Sequence, residues 1–172
     1  MLEGVKRLQI KKNIDDRGLF AELLRSDWNQ LLGEDIIVQT SLQLTYPGIV
    51  RAWHRHGRGQ NDYILVLDGA LKICAYDDET GSKSRGQLNE IISTSELLEI
   101  VKVPGFYWHG FKCIGNITSK ILHFKNVLYD YENPDEERRP WNDPKIIPKM
   151  INDNKDDPRV DKSWDWNLPI HR

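Results

Sequence analysis

The sequence has few cysteines, no long apolar run and almost no excess of charge of one sign. Its two cysteines, Cys74 and Cys113, can form at most one bridge and show no CxxC spacing, which excludes a disulfide scaffold and a cysteine zinc site. The longest uninterrupted apolar run, Tyr63 to Leu67, is far short of the ~20 residues that cross a bilayer, and residues 1–12 lack the apolar centre of a signal peptide. We therefore expect a cytoplasmic protein that is not bound to a membrane.

The charges nearly cancel, with 24 Lys and Arg against 26 Asp and Glu and a formal net charge of -2. Non-specific nucleic-acid binding relies on a positive field that this balance does not provide. We therefore expect no nucleic-acid partner. A length of 172 residues, 39% of them hydrophobic and 29% charged, suits one domain over residues 1–172.

Short strand-like runs fill residues 36–128, which we take as the core of the fold. They are separated by Gly, Pro and Asn turns about every ten residues, the pattern of an all-β sandwich or barrel. Asp68-Gly69 and Gly115-Asn116 each predict a two-residue β-hairpin. The runs cover residues 36–45, 49–54, 63–67, 71–76, 88–93, 97–103, 111–114 and 117–127. We predict a double-sheet jelly roll.

Helical periodicity is scarce. Leu19 to Leu32 could form one short amphipathic helix, with Ser26 and Asp27 as candidate caps, and Ser93 to Leu97 a turn of another.

Residues 129–172 differ in character from the rest. From Tyr131 onward they hold six prolines, many charges and the tryptophans Trp141, Trp164 and Trp166. Indole rings do not accumulate in disordered segments. We expect an irregular segment that packs on the barrel or on a second subunit.

Histidines mark the candidate site. His54 and His56 stand at i and i+2 at the end of a predicted strand, so both side chains can face the same side. Gln60 follows His56 by four residues, and His109 ends the stretch Pro104 to His109. Imidazole exchanges protons near neutral pH and is the commonest metal ligand, so the residues alone leave acid-base and metal chemistry open.

Four motifs, in order along residues 4–148, resemble the dTDP-4-dehydrorhamnose 3,5-epimerase family of the cupin superfamily. They are D-D-R-G-L-F-A-E at Asp15 to Glu22, Gln39 with G-I-V-R-A-W-H at Gly48 to His54, P-G-F-Y-W-H-G-F at Pro104 to Phe111, and Tyr131 to Pro144 ending in W-N-D-P. The resemblance implies a cupin-type jelly roll and a nucleotide-sugar epimerase or isomerase that acts beside the ketone of a dTDP-4-keto-6-deoxy sugar. No cofactor is required, because the ketone is the electron sink.

The resemblance also implies catalytic roles. His54 is the base, and Arg51 is the cation near the developing oxyanion, although strict strand alternation puts it on the opposite face unless the strand bulges. Tyr131 returns a proton from the other face, with Tyr129 almost as well placed. The remaining catalytic candidates are His56 as a second base, His109 as a supporting hydrogen bonder, and Asp156 as the acidic group that orients the base.

Binding roles follow in the same way. Arg17, helped by Arg58, grips the diphosphate, and Phe20 and Glu22 help to hold the nucleotide base and sugar, across a homodimer interface as in the family. Gln39, Gln60, Asp62 and Trp141 complete the predicted substrate-binding set.

Two departures keep alternatives open. The family's lysine in Q-x-K falls on Asp62, which reverses the local charge, and the H-x-H of His54 and His56 resembles the sugar 3,4-ketoisomerases. The order His54, His56, Gln60 and His109 is similar to a cupin metal centre for Fe, Mn, Ni or Zn. The alternatives are therefore a metal-dependent cupin enzyme and a non-catalytic sugar-binding cupin.

Overall fold

The computed structural model describes residues 1–169 of the chain. Within this range the chain forms thirteen strands and one short helix. In chain order these elements are β1 (Lys6–Gln9), β2 (Asn13–Asp15), β3 (Gly18–Phe20), α1 (Asn29–Leu32), β4 (Gln39–Thr45), β5 (Val50–Arg55), β6 (Asn61–Asp68), β7 (Ala70–Tyr76), β8 (Gln87–Thr94), β9 (Glu99–Pro104), β10 (Trp108–Ile114), β11 (Ser119–Lys125), β12 (Glu137–Arg138) and β13 (Met150–Ile151). In the part of the chain described, no helix is long and apolar enough to cross a membrane.

Two sheets carry the fold. One has the order β1-β9-β6-β11-β4 and the other β12-β5-β10-β7-β8-β13, while β2 and β3 form a separate hairpin. From β4 to β11 the chain crosses between the sheets at every connection except β7 to β8. This crossing pattern confirms the predicted double-sheet jelly roll.

The core lies between the sheets and becomes polar toward one end. Strands contribute every second side chain to it, and the buried cluster comprises Leu2, Val5, Ile64, Val66, Leu71, Ile73, Ala75, Ile91, Val101, Val103, Tyr107, Phe111, Cys113 and Ile121. Along β6, β10 and β11, the next inward positions beyond Ile64, Phe111 and Ile121 are Asp62, His109 and His123. The polar end of the interior holds the candidate site.

Both outer faces are covered as well. Helix α1 and the segment before it pack on the five-stranded sheet, around Tyr63, Leu65 and Phe124. The C-terminal segment packs on the six-stranded sheet, where Trp164 and Trp166 join a buried cluster with Trp53, Trp108, Ile146 and Ile151.

A buried ion network fastens the C-terminal segment to that sheet. The Nζ of Lys72 lies 3.0 Å from one carboxylate oxygen of Glu90, and the Nη1 of Arg159 lies 2.8 Å from the other. Arg159 also pairs with Asp157, so two cations share the Glu90 carboxylate in the interior.

Both predicted hairpins are wrong. Asp68-Gly69 joins β6 to β7, and Gly115-Asn116 lies between β10 and β11, but each pair of strands belongs to different sheets. Tight glycine turns serve equally well to carry the chain from one sheet to the other.

The predicted helices are also shorter than expected. Leu19 lies in β3, which pairs with β2, and the helix covers Asn29–Leu32 with Trp28, not Ser26 or Asp27, at its N-cap. Ser93 to Leu97 completes β8 and then makes a hydrogen-bonded turn. The strand pairing of β3 outweighs a weak helical pattern, as tertiary contacts commonly do.

Strand β4 alternates between polar and apolar residues, and its polar face points inward. Ser41 and Gln43 line the interior cavity, whereas Leu42 and Leu44 are exposed on the outside of the sheet.

Candidate active site

A bulge in β5 brings Arg51 and His54 to the same cavity. In the pairing with β10, His54 lies opposite His109 and Arg51 opposite Phe111. Three steps along β5 therefore match two along β10, and the extra residue reverses the alternation of faces between the two positions. Both side chains line the cavity at the polar end of the sandwich.

Gly110 makes this close packing of β5 on β10 possible. A Cβ at that position would lie 2.4 Å from the Cβ of Ala52 and 2.5 Å from the carbonyl oxygen of Arg51. A side chain there would push the bulged strand away from β10.

The cavity has a volume of about 370 Å³ and draws its walls from both sheets. Strands β5, β10 and β12 form one side, and β4, β6 and β11 the other. Its polar lining consists of Ser41, Gln43, Arg51, His54, His56, Asp62, His123, Lys125, Tyr129, Glu136, Arg138 and Arg139.

Four titratable groups meet at the inner end of the site. One nitrogen or carboxylate oxygen from each of His54, His56, Asp62 and His109 lies within 4.8 Å of the others. Three imidazoles and one carboxylate can exchange protons among themselves, and they are also donors that transition metals accept.

Asp62 and His109 form an ion pair. The Nδ1 of His109 is 2.8 Å from the carbonyl oxygen of Tyr107, and its Nε2 is 3.0 Å from Oδ2 of Asp62. Each ring nitrogen therefore faces an oxygen atom. Burial alone would raise the pKa of Asp62, but hydrogen bonds from His109 and His56 outweigh it and hold the pKa well below the usual range.

His56 sits on the other side of the same carboxylate. Its Nδ1 donates to the carbonyl oxygen of Asp135, and its Nε2 lies 2.9 Å from the amide nitrogen of Gln60 and 3.7 Å from Oδ2 of Asp62. The same Gln60 amide nitrogen donates to Asp62 at 2.9 Å. Burial lowers the pKa of His56, but the hydrogen bond and charge of Asp62 raise it above the ordinary value.

His54 is set apart from this network. Its ring packs edge-on against His109 at a centroid distance of 4.3 Å, and its nitrogens have no hydrogen-bond partner within residues 1–169. Burial, reinforced by the charge of His109, lowers the pKa of His54 well below the ordinary value. The imidazole is therefore neutral at pH 7 and free to accept a proton.

The sequence prediction missed His123 and Lys125, which line the cavity from β11. His123 is buried, its Nε2 has no partner in the described chain, and burial lowers its pKa to about 4. Both lie on the same face of the predicted strand as the inward-facing Ile121, at intervals of two residues. This periodicity could have identified them as lining residues from the sequence.

The two tyrosines proposed for the acid position differ in where they lie. Tyr129 lines the cavity and is 37% exposed, whereas Tyr131 is 87% exposed and outside the lining. Their rings contact each other at 5.0 Å. Gln39 accepts a 2.9 Å hydrogen bond from the backbone nitrogen of Tyr129, so it holds the tyrosine segment.

Several predicted binding residues do not reach this cavity within one chain. Arg17 and Phe20 line a separate depression on the exposed β2–β3 hairpin, where Arg17 pairs with Asp15 at 2.6 Å. Glu22 pairs with Arg25 at 2.6 Å.

Three more predicted residues also lie away from the lining. Arg58 is exposed and its Nη2 donates to Asn133 at 3.1 Å. Trp141 is partly exposed, and its carbonyl oxygen accepts from the indole of Trp166. Asp156 is exposed in the C-terminal segment, and Asp62 is the carboxylate found beside the histidines.

A jelly roll that opens at one end on a histidine-lined cavity defines a cupin-like protein. The family model for dTDP-4-dehydrorhamnose 3,5-epimerase matches residues 1–161. The chain therefore belongs to the dTDP-4-dehydrorhamnose 3,5-epimerase family, and it is an enzyme of the sugar epimerase class. This assignment favours the enzyme over the non-catalytic sugar-binding alternative.

Individual relatives agree with the assignment. The chain is 38% identical to a probable low-salt glycan biosynthesis epimerase, Agl13, of Haloferax volcanii, over 97% of this chain and 94% of the relative. It is 33% identical to the spore coat polysaccharide biosynthesis protein SpsL of Bacillus subtilis, over 85% and 94% of the two chains. Among solved structures, a dTDP-6-deoxy-D-glucose-3,5-epimerase from Legionella pneumophila superposes with a TM-score of 0.75 at 25% identity, covering 84% of this chain and 77% of that one.

Proposed function

We propose that the chain removes a proton from a carbon beside the ketone of a nucleotide-linked 4-keto-6-deoxy sugar, with His54 as the base. The observation that carries this proposal is the His54 imidazole, which is neutral, lacks a hydrogen-bond partner within residues 1–169 and opens on a cavity. The Legionella epimerase is described in complex with dTDP-4-keto-L-rhamnose. A sugar of that class is therefore the first substrate for the exchange assay described below.

The geometry supports a proton transfer in two stages. His54 takes the proton, and the electron pair of the C–H bond moves toward the ketone oxygen. The carboxylate of Asp62 favours the protonated form of His54, so it stabilises the imidazolium that results. A phenol with a pKa near ~10 is protonated at pH 7 and can donate, and Tyr129 is the tyrosine that lines the cavity.

Arg51 is the candidate residue for binding the anionic part of the substrate. It is exposed at the rim of the cavity, and its guanidinium has no ion pair in the described part of the chain. A free guanidinium can bind a phosphate oxygen pair bidentately.

Solvent-deuterium exchange tests the proposal directly. The purified protein is incubated in D₂O with a panel of dTDP-linked and other nucleotide-linked keto sugars, and the sugar is analysed by mass spectrometry. Incorporation of deuterium beside the ketone of at least one sugar is the expected result. A complete lack of exchange across the panel would contradict the proposed reaction.

We also propose that the active form is a homodimer. Ile14, Leu19 and Phe20 are exposed on the β2–β3 hairpin, with Phe20 at 67%, and Leu42 and Leu44 form an exposed apolar face on β4. Groups of exposed apolar side chains mark interaction sites. A second copy that covers it could bring Arg17, Phe20 and Glu22 to the neighbouring cavity, as the resemblance implies.

Sedimentation tests this assembly. Wild type should sediment as a dimer at micromolar concentration, and Phe20→Ser should shift it toward monomer. A wild-type monomer at these concentrations would overturn the dimer proposal. The cytoplasmic location stays a prediction from the sequence.

A metal-dependent reaction is the second candidate, because the four donors of His54, His56, Asp62 and His109 converge. However, His109 is hydrogen-bonded to Asp62. The sequence hypothesis put Gln60 among the ligands, but its amide nitrogen makes hydrogen bonds with His56 and Asp62. These hydrogen bonds occupy the donor atoms of His56, Asp62 and His109 without an ion, and His54 is left unpaired within residues 1–169, as a base requires. The arrangement therefore fits proton transfer better, and no step of the mechanism uses a metal.

Elemental analysis separates the two candidates. About one transition metal ion in each purified chain, together with exchange activity that is lost on chelation and restored by that metal, would replace the proposed function with the metal-dependent one. Activity that survives chelation supports the proton-transfer mechanism.

A further inference from the structure

Strand β11 presents an inward row of side chains to the cavity. Ile121 packs in the core between the sheets, and His123 and Lys125 follow at intervals of two residues and line the cavity. Lys125, the last residue of the strand, is partly buried. Its side chain therefore reaches the cavity from the end of β11.

Lys125 stands beside the residue that reverses the expected charge. In the register of the five-stranded sheet, Lys125 is the partner of Asp62 on β6 and of Gln39 on β4. The Asp62 carboxylate is occupied by His109, and Gln39 binds the backbone of Tyr129. The Lys125 side chain has no hydrogen bond or ion pair within residues 1–169, so its ammonium is free for a ligand.

The other cations in the lining are less suitable. Arg139 is 2.6 Å from Asp78 and stacks 4.0 Å from the ring centroid of Trp108. Arg138 is paired with Glu136 at 2.9 Å. Arg51 has no ion pair in the described part of the chain, but it is exposed at the rim of the cavity.

The charge of Lys125 also contributes to the pKa values of neighbouring groups. It helps to hold down the pKa of Asp62 and opposes protonation of His56. It acts on His123 in the same way. These contributions agree with the register and the cavity lining, which place Lys125 beside the site.

We infer that Lys125 binds the ketone oxygen of the substrate and stabilises the enolate, so that a cation from β11 takes the role that Asp62 on β6 cannot fill. The inference rests on the proposed function and adds a catalytic residue to it. In the step, the C–H bond breaks, its proton goes to a ring nitrogen of His54, and its electron pair forms the C=C bond. The carbonyl π pair moves to oxygen, where the Nζ–H of Lys125 donates to it, and no redox partner is needed.

Substitution of Lys125 tests this assignment. Lys125→Met keeps the length of the side chain and removes the charge, and we expect deuterium exchange to fall about 100-fold, the usual cost of losing an oxyanion donor. Lys125→Arg should retain at least a tenth of the activity. Binding of dTDP alone, measured by calorimetry, should change less than threefold in Lys125→Met, because the ketone is absent from that ligand.

A matched control lies on the same strand. Lys120 is exposed and pairs with Asp68 at 3.0 Å, and Lys120→Met should exchange at the wild-type rate. Thermal unfolding of both variants checks that each is folded.

Chemical restoration of the charge makes the test independent of those variants. Lys125→Cys is treated with 2-bromoethylamine, which rebuilds an ammonium of similar reach on the introduced thiol. Cys74 and Cys113 are each 0% exposed, so the reagent should spare them. Exchange should be low before treatment and recover at least tenfold afterwards.

The outcomes distinguish the inference from the function on which it rests. If wild type exchanges but Lys125→Met stays within threefold of it, or if aminoethylation restores nothing, Lys125 does not hold the enolate and the proposed function stands. If wild type itself fails to exchange with every sugar, the proposed function falls and the role of Lys125 falls with it.

Discussion

Asp62 and Lys125 are register partners on adjacent strands, yet the Asp62 carboxylate pairs with His109, 3.0 Å away, and the lysine ammonium has no partner among residues 1–169. Opposite charges on directly paired residues would ordinarily bind each other. The aspartate is instead committed to the histidines beneath His54. Position 62 therefore belongs to the histidine cluster, and Lys125, which lines the same cavity, stands one strand away.

Removal of the Asp62 charge should alter both His56 and the reaction. In Asp62→Asn the pKa of His56 should fall, because the hydrogen bond and charge that raise it are lost, and exchange should slow about 10-fold to 100-fold. Proton NMR titration of the imidazole resonances measures the first effect. Asp68→Asn, at the exposed end of the same strand, is the control, and an unshifted His56 would show that Asp62 does not govern it.

The two tyrosines should separate in their products. Tyr129→Phe should allow deuterium to enter beside the ketone but slow the appearance of inverted product about 100-fold, since the base is intact and the acid is missing. Tyr131→Phe should behave as wild type within about threefold. The ratio of inversion to exchange, followed by NMR, decides between them, and the reverse result would return the acid role to Tyr131.

The stability of the protein should depend on His123 between about pH 6.5 and pH 4. Burial lowers the pKa of His123 to about 4, so below its ordinary pKa the unfolded chain binds a proton that the folded protein does not. Stability is therefore lost as the pH falls through this window, by roughly 2 kcal/mol between pH 7 and pH 5 for this group.

His123→Leu removes that group and should flatten the pH dependence by the same amount. Urea unfolding of both proteins at pH 7 and pH 5 gives the difference, in which the other titrating groups cancel. Parallel losses of stability in the two proteins would contradict the assignment.

The Glu90 network should be costly to break. In Glu90→Gln, Lys72 and Arg159 lose their shared carboxylate in the interior, and we expect a loss of about 3–5 kcal/mol in the free energy of unfolding. Glu137 pairs with Arg55 at the surface, so Glu137→Gln should cost less than about 1 kcal/mol. Urea unfolding compares them, and equal losses would show that the buried network does not anchor the C-terminal segment.

The strands of the core and the convergence of His54, His56 and His109 could be predicted from the sequence. Alternation fixes which residues share a face, and the H-x-H spacing needs nothing more than an extended strand. From the sequence, we could say only that Arg51 and His54 share a face if β5 contains a bulge, and not that the bulge is present. It depends on the close packing at Gly110, which is a contact between distant parts of the chain.

Other features required the tertiary structure. Whether Asp68-Gly69 closes a hairpin depends on which strands pair with β6 and β7. Strand pairing is decided by residues that are far apart in the sequence. The free state of Lys125 depends on Asp62 being bound by His109, which follows it by 47 residues. Likewise, a single chain cannot bring the β2–β3 hairpin to the cavity, so the predicted roles of Arg17 and Phe20 depend on a second copy.

His54 is the group on which the mechanism depends, and His54→Asn measures its role most directly. The substitution removes the base and preserves a polar side chain. With a dTDP-4-keto-6-deoxy sugar in D₂O, wild type should incorporate deuterium beside the ketone, and His54→Asn should be slower by at least about 1000-fold while it binds dTDP normally. Exchange by His54→Asn at a rate within tenfold of wild type would contradict the account.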